Sequence, residues 1–161
     1  MAGALLRSTL IGGIAPVLMR RLSLGETMTV ADIMQAEVRV VTSDTPVSEV
    51  VVSLADAQVT GLPVVDARNR VIGVVSSTDL IDAQAETRSA EERQVLLEHT
   101  PVRDIMTPRP LMIESTAEVQ EAARHMLYTE VRRLFVEENG VLVGVISQTD
   151  IVRAVETGKL A

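Results

Sequence analysis

The chain has no cysteine and no tryptophan, and Tyr128 and Phe135 are its single tyrosine and single phenylalanine. Without cysteine there is no disulfide framework, no thiolate metal ligand and no cysteine nucleophile. The same absence fits a reducing compartment, and we expect the protein to be cytoplasmic. So few aromatic side chains also argue against a function that depends on stacking nucleic-acid bases.

Positive charge is also scarce, because 15 lysines and arginines face 22 acidic residues and the formal net charge is −7. A chain of this charge without a basic stripe argues against binding to a phosphate backbone. No run of residues reaches the roughly 18 apolar positions that a membrane-spanning helix needs, so we expect no transmembrane segment.

Residues 1–25 differ from the rest, since they hold Arg7, Arg20 and Arg21 and no acid. A basic, apolar, acid-free start resembles a targeting peptide. It also suits a short arm that docks on a partner or a membrane surface, or a tail that packs on the module itself. The sequence leaves these alternatives open.

Two segments of the chain repeat each other. Gly73–Asp79 reads Gly-Val-Val-Ser-Ser-Thr-Asp, and Gly144–Asp150 reads Gly-Val-Ile-Ser-Gln-Thr-Asp. Each is preceded by Asp-Ile-Met, at residues 32–34 and 104–106. The offsets are 104 − 32 = 72 and 150 − 79 = 71. Such a duplication predicts two similar units that bury their apolar faces against each other, with a pseudo-twofold axis.

Each repeat is predicted to run strand, helix, strand, strand, helix, which gives a mixed α/β (α+β) fold. In the first repeat we expect a strand at Val38–Val41, followed by a helix that Thr45 caps, with Pro46 in its first position and an apolar face of Val47, Val50, Val51 and Leu54. A strand at Gly61–Val65 and a hairpin loop at Asp66–Arg70 come next. The repeat ends with a strand at Val71–Val75 that is buried on both faces, a turn at Ser76–Asp79 and a helix beginning at Leu80.

The second repeat follows the same order. We expect a strand at Leu111–Ile113, a helix capped by Ser115 or Thr116 with Glu118 completing a capping box, a helix face of Val119, Ala122, Ala123 and Met126, and a hairpin of Leu134–Val136 and Val141–Ile146 around an Asn139-Gly140 turn. The predicted organisation is an N-terminal segment at 1–25, repeats at 26–83 and 102–156, a helical linker at 84–101 and a tail at 157–161.

The repeats share a Ser-x-Thr-Asp tetrad at the point where a strand meets a helix. Ligands bind at such strand ends in open α/β folds. Asp79 or Asp150 can accept two hydrogen bonds from a vicinal diol such as a ribose, and the neighbouring hydroxyls and helix amides suit phosphate. The alternative is that serine and aspartate merely cap the helix.

The order of strand, capped helix, Gly-Leu-Pro-Val, hairpin and Gly-h-h-Ser-x-Thr-Asp, where h is apolar, resembles the CBS (cystathionine β-synthase) domain, and two in tandem resemble a Bateman module. This resemblance covers about residues 30–156. It implies a regulatory module that binds AMP, ADP, ATP, S-adenosylmethionine, NAD or cyclic di-AMP, forms a homodimer and acts on a protein target.

The resemblance also implies the residues of the nucleotide sites. Asp79 and Asp150 would hold the ribose, with the hydroxyls of Ser76, Thr78, Ser147 and Thr149 beside ribose and phosphate. Adenine would lie against Val41, Thr42, Leu62 and Pro63 in the first site and against Ile113, Glu114, Leu134 and Phe135 in the second, where Arg132 and Arg133 would pair with phosphate. Phe135 replaces the usual proline and Glu114 stands where the first repeat has Thr42, so we expect unequal sites.

The remaining polar residues suggest no chemistry. His99 and His125 lack metal-ligand spacing, and no nucleophile–base pair or phosphate-binding glycine loop is present. We therefore expect no catalytic residue, no metal and no catalytic cofactor. The leading hypothesis is an adenosine-nucleotide sensor that signals to a partner. The alternatives are a ligand-independent dimeric scaffold with degenerate pockets and a small hydrolase that uses the tetrad.

Overall fold

The computed structural model describes residues 27–157, so the expectations for residues 1–25 and for 158–161 lie outside the described residues. The described helices are α1 (Val30–Ile33), α2 (Val47–Ala57), α3 (Ser77–Ala85), α4 (Ala90–His99), α5 (Val119–Thr129) and α6 (Gln148–Glu156). The described strands are β1 (Val41–Thr42), β2 (Gly61–Val65), β3 (Val71–Ser76), β4 (Thr107–Pro108), β5 (Met112–Glu114), β6 (Arg133–Glu138) and β7 (Val141–Ser147). The mixed α/β class is confirmed.

The first sheet has the order β1-β2-β3-β4. Strand β1 runs parallel to β2, with Val41 opposite Val64, because a helix lies between the two strands in the chain. Strands β2 and β3 form the predicted antiparallel hairpin, closed by a loop in which the Asp66 carboxylate accepts hydrogen bonds from the amides of Arg68 and Arg70.

The second sheet has the order β5-β6-β7. Its hairpin turns at Asn139 and Gly140, with φ values of 52° and 80°. Positive φ at two successive residues is the geometry that Asn-Gly turns favour in hairpins, so this prediction is confirmed. Leu134, Val136 and Ile146 point into the core and are fully buried.

Each sheet is completed by the chain segment that opens the other repeat. Val102 donates its amide to the Thr45 carbonyl at 2.8 Å, and β4 pairs with β3. In the same way Val30 donates to the Ala117 carbonyl at 2.8 Å, and Gln35 pairs with Val145. One compact unit of the described chain thus combines residues 27–36, 113–136 and 144–157, and the other combines 37–112 and 137–143.

Helices α2 and α5 bury matching faces. Val47, Val50 and Leu54 are buried in α2, as are Val119, Ala122 and Met126 in α5. Val51 and Ala123 lie in the same two helices, as expected, but are less buried: Val51 is 43% exposed and Ala123 is half-buried.

The predicted caps of these two helices were wrong. Pro46 and Glu118 occupy the N-cap positions without a side-chain cap. Thr45 instead accepts a hydrogen bond from the Thr42 amide at 3.1 Å. Amides of the helix starts are satisfied through tertiary contacts: Val47 donates to Thr100 and Val119 to Met28, both at 3.1 Å. A cap that the neighbouring segment supplies leaves no local sequence signal.

Several element boundaries and one burial pattern differ from the prediction. Strand β1 starts at Val41 rather than Val38, and β5 starts at Met112 rather than Leu111. Helix α3 begins at Ser77 rather than Leu80. Val71, Ile72 and Val74 are half-buried, so β3 is not buried on both faces. The predicted linker contains α4 after a short break, because α3 ends at Ala85.

Candidate functional site

The first tetrad closes the start of α3. The Asp79 carboxylate accepts hydrogen bonds at one oxygen, Oδ2, from the Ser76 amide at 2.7 Å and from the Ser76 hydroxyl at 3.0 Å. The Asp79 amide in turn donates to Ser76 Oγ at 3.3 Å. These reciprocal bonds form a capping box at the helix start.

The second tetrad repeats this geometry at the start of α6. Asp150 Oδ2 accepts from the Ser147 amide at 2.8 Å and from the Ser147 hydroxyl at 2.9 Å, and the Asp150 amide donates to Ser147 Oγ at 3.2 Å. Asp150 is only 7% exposed, whereas Asp79 is half-buried. The capping role that the sequence left open is therefore present in both copies.

A third residue reaches each carboxylate from the segment after Asp-Ile-Met. Thr107 donates its hydroxyl to Asp79 Oδ1 at 3.1 Å, and the Gln35 side-chain amide donates to Asp150 Oδ1 at 3.4 Å. Sequence reasoning missed both residues. Their common signal was their place, since Gln35 follows Met34 and Thr107 follows Met106, 72 residues apart.

The carboxylates are thus largely occupied. A carboxylate has about four lone-pair sites, and three of them accept hydrogen bonds at Asp79 and at Asp150. Each has room for about one further donor, so two bonds to a ribose diol would require Thr107 or Gln35 to yield. The hydroxyl-bearing residues Thr78 and Thr149 are exposed at the first turn of their helices.

The residues proposed to hold the base are spread along the first sheet: Leu62 and Pro63 are the two residues of β2 after Gly61, near the tetrad, whereas Val41 and Thr42 lie opposite the end of β2. Val41, Leu62 and Pro63 are buried, and Thr42 is exposed beside Val65. Ser76 lies opposite Gly61, four residues away along β2. At about 3.3 Å per residue this separation is about 13 Å. Thr42 and the first tetrad therefore do not form one cluster around this sheet.

In the second sheet the counterparts of these residues are again mostly buried. Ile113 and Leu134 are in the core, and Phe135 is half-buried. The Glu114 side chain is exposed, and its carbonyl accepts from the Ala117 amide at 3.1 Å. In this group the residues with exposed surface are Glu114 and, in part, Phe135.

Arg132 and Arg133 lie beside the second tetrad. The Arg132 carbonyl accepts from the Gln148 amide at 3.0 Å, which joins the start of β6 to the start of α6. Both arginines are exposed. Within the described chain neither guanidinium forms an ion pair with an acidic side chain, the nearby Glu130 and Glu137 included.

Other functional groups are not assembled within residues 27–157. No three histidine, cysteine, aspartate or glutamate side chains of this range are grouped to hold a metal ion. No helix of the same range is long and apolar enough to cross a membrane. The paired tetrads and the two arginines are thus the features that set the site apart.

Comparison with known proteins identifies this arrangement. The family model of the CBS domain matches residues 30–86 and 102–157. The chain belongs to the CBS domain family. Its two CBS domains each contain one tetrad, so the resemblance stated from the sequence is confirmed.

The chloroplastic CBS domain-containing protein CBSX2 of Arabidopsis thaliana is 33% identical to this CBS pair, over 78% of this chain and 63% of its own length. The chain therefore spans less than two thirds of that relative. A crystal structure of CBSX2 in complex with AMP has a TM-score of 0.69 at 34% identity and covers 82% of this chain and 98% of the crystallised chain.

A more distant structure is the CBS domain pair of protein MJ0100 in complex with 5′-methylthioadenosine and S-adenosyl-L-methionine. It has a TM-score of 0.65 at 21% identity, covering 80% of this chain and 99% of its own. At that identity the likeness concerns the fold alone.

Proposed function

We propose that this CBS pair is a regulatory module that binds an adenosine-containing nucleotide. The observation that supports it most is the presence of both tetrads in the same capped geometry, in a chain 34% identical to a CBS pair crystallised with AMP. The free lone pairs of Asp79 and Asp150 take ribose hydroxyls, while Thr78 and Thr149 with the first helix amides face phosphate.

The exposed guanidinium groups of Arg132 and Arg133 neutralise the phosphate of the ligand. An arginine without an acidic partner in the described chain does not have to break an ion pair when it binds an anion. Hydrogen bonds between guanidinium and phosphate are also charge-assisted. The first CBS domain has Thr60 and Gly61 at the matching positions, so only the second carries these charges.

Binding adds hydrogen bonds at atoms that also fix the helix starts. A nucleotide that displaces Thr107 or Gln35 from its carboxylate changes the attachment of the Asp-Ile-Met segments. The ligand thereby shifts the population of two arrangements of these segments. A homodimer and a protein target that reads the shift complete the proposal, and the module itself performs no catalysis.

Thermal shift and calorimetric titration with AMP, ADP, ATP, S-adenosylmethionine, NAD and cyclic di-AMP test the proposal. A ligand that binds the native state raises the unfolding midpoint. We expect Asp79→Asn or Asp150→Asn to weaken binding about tenfold, as loss of a charge-assisted bond does. Asp82→Asn, an exposed aspartate of α3 outside the tetrad, is the matched control. Absence of binding by all six compounds would contradict the proposal.

Double-mutant cycles on the binding free energy test which tetrad shares a ligand with Arg132 and Arg133. The double variant Arg132→Gln/Arg133→Gln is combined in turn with Asp79→Asn and with Asp150→Asn. Non-additive losses identify the aspartate that shares a ligand with the arginines. Arg124→Gln, an exposed arginine of α5, controls for net charge.

A ligand-independent scaffold is the second candidate, and one observation favours it. The serine and aspartate of both tetrads already satisfy each other as helix caps, which gives them a structural role without a ligand. Equilibrium dialysis separates the candidates, because a scaffold retains none of the six nucleotides. Incubation with ATP followed by product analysis tests the non-catalytic assignment.

The cytoplasmic location stays a prediction. Residues 1–25 lie outside the described structure, and the relative CBSX2 is named as chloroplastic. Imaging of the full chain with a C-terminal fluorescent tag, and sequencing of its mature N-terminus, distinguish an uncleaved cytoplasmic chain from an imported one.

A further inference from the structure

The helices that follow the two tetrads differ in how firmly each is held. Helix α6 buries Asp150 and Ala154, and Ala154 packs in an apolar cluster with Met28. Helix α3, which is described over its whole length, has no fully buried residue. Its Ala83, the counterpart of Ala154 by the offset of 71, is half-buried. Because buried apolar contacts oppose local opening, the first tetrad begins the more weakly held helix.

Helix α4 is also weakly held. Among Ala90–His99 no residue is fully buried, Leu96 is half-buried and Leu97 is 38% exposed. The helix packs on both α2 and α3, yet an open groove of about 460 Å³ remains between the three helices, lined mostly by aliphatic side chains. Space that side chains do not fill forfeits dispersion contacts, so the packing of α4 contributes little stability.

The hydrogen bonds at the two ends of α4 are of different kinds. The Ser89 hydroxyl caps the helix by accepting from the Glu92 amide at 3.1 Å, within the first turn of the helix itself. The Thr100 carbonyl, just after the helix, accepts from the Val47 amide at the start of α2 at 3.1 Å. Helix α4 can therefore leave α2 and α3 with its own cap intact, while Thr100 keeps its end attached.

Helix α3 joins the first tetrad to α4. Asp79 closes the capping box at the start of α3, and the next two residues, Leu80 and Ile81, line the groove beside α4. Gln84 lines the same groove one turn further along. Fraying of the turn that Asp79 caps would thus remove part of the surface on which α4 packs.

We propose that α3 and α4 open and close as one cooperative unit, and that a nucleotide at the first tetrad holds this unit closed. The inference rests on the proposed function for its ligand and assigns a different role to each site. A ligand at Asp79 binds the capped form of α3 and stabilises the docked form of α4. A ligand at Asp150 meets a helix that the buried Ala154 already holds in place. The opening of α4 is the change that a protein target reads.

Hydrogen exchange of the full chain, followed by mass spectrometry, tests the coupling without any ligand. Ser76→Ala removes the cap of α3 and is expected to speed exchange about fivefold in α4 as well as in α3, and to leave α6 unchanged. Ser147→Ala, the matched control, should speed exchange in α6 and leave α4 unchanged. The coupling is overturned if Ser76→Ala acts only on the first turn of α3, or if both variants act equally on α4.

A substitution in α4 tests the same coupling in reverse, because coupling between two elements is reciprocal. Leu96→Ala weakens the apolar contact of α4 and should speed exchange in α3 as well as in α4. Val95→Ala is the control, since Val95 is 53% exposed and lies outside the groove lining. Far-UV circular dichroism checks folding. Unchanged exchange in α3 of Leu96→Ala would contradict a shared opening.

The ligand is tested with AMP on the wild-type chain. At about ten times its dissociation constant, AMP should slow exchange in α3 and α4 about tenfold. AMP that binds but leaves exchange in α4 unchanged overturns control by the ligand. If calorimetry shows that no nucleotide binds, the proposed function fails, and the Ser76→Ala and Leu96→Ala variants alone decide whether α3 and α4 open together.

Discussion

Gly144 lies directly under Met34: a β-carbon on Gly144 would come within 2.6 Å of the Met34 sulfur and 2.8 Å of the Gln35 carbonyl oxygen. The same relationship joins Gly73 to Met106, at 2.5 Å from the sulfur. The glycine that opens each repeated motif thus admits the Asp-Ile-Met segment of the other repeat. A shared physical requirement explains why both motifs recur together.

Gly144→Ala is expected to destabilise the protein by about 1–3 kcal/mol, because a backbone oxygen as well as a side chain must move. For a chain of this size this corresponds to a fall of about 2–4 °C in the unfolding midpoint per kcal/mol. Gly61→Ala is the matched control, since its β-carbon would meet only ordinary contacts of 3.6 Å or more. Equal unfolding midpoints for Gly144→Ala and Gly61→Ala would contradict the close approach of Met34 and Gln35 to Gly144.

Substitutions within one tetrad separate capping from binding. Ser147→Ala is expected to cost about 1 kcal/mol in the free energy of unfolding, because it removes a cap that accepts from the Asp150 amide. Thr149→Ala, at an exposed position, should leave that free energy unchanged and weaken nucleotide binding instead. Denaturant titration and calorimetry measure both. A stable Ser147→Ala protein would show that the cap is dispensable.

The Asp66 loop gives a pH dependence of stability. The hydrogen bond from the Arg70 amide lowers the pKa of Asp66 below its ordinary value of 3.8. Desolvation, the next largest effect, raises the pKa, and the Arg68 amide and the charges of Arg70 and Arg68 lower it further. A carboxyl with a lowered pKa in the folded state contributes stability above the unfolded pKa, and the contribution is lost as pH falls through the folded pKa.

Asp66→Asn should therefore flatten the stability profile below about pH 4, relative to the wild type, and leave its shape above pH 5 unchanged. Asp56→Asn, an exposed aspartate at the end of α2, is the control. Midpoints of urea unfolding from pH 2.5 to 7 provide the measurement. An Asp66→Asn profile parallel to that of the wild type in acid would contradict the assignment.

The local elements with local causes could be predicted from the sequence. The Asn139-Gly140 turn, the Asp66–Arg70 loop and strand β2 follow from nearby residues, and all three are present in the structure. The duplicated motif also led to the family. These features depend on turn chemistry and periodicity, which a single sequence records.

The errors occur where a distant segment acts. Thr45 and Ser115 were expected to cap helices that instead use the carbonyls of Thr100 and Met28. Thr107 and Gln35 reach the tetrads because the Asp-Ile-Met segment of each repeat packs on the sheet of the other repeat. Residues nearby in the sequence do not indicate such contacts.

The arginine pair gives a prediction on ionic strength. Arg132→Gln/Arg133→Gln is expected to weaken AMP binding and to reduce its dependence on salt, since screening acts on the charges that are removed. S-adenosylmethionine lacks phosphate, so its affinity should change little. Titrations at 50 and 300 mM salt measure the difference. An equal loss for both ligands would show that the arginines do not contact phosphate.

Binding of an adenosine nucleotide by the repeated tetrads is the proposal on which the others depend. Calorimetric titration of AMP into the wild type and into the double variant Asp79→Asn/Asp150→Asn, with folding checked by circular dichroism, tests it most directly. We expect saturable binding to the wild type and a loss of affinity of about tenfold or more in the folded double variant. The proposal would be contradicted by equal affinity of the two proteins for AMP. It would also be contradicted if AMP gave no heat of binding with the wild type and none of the other five compounds raised its unfolding midpoint.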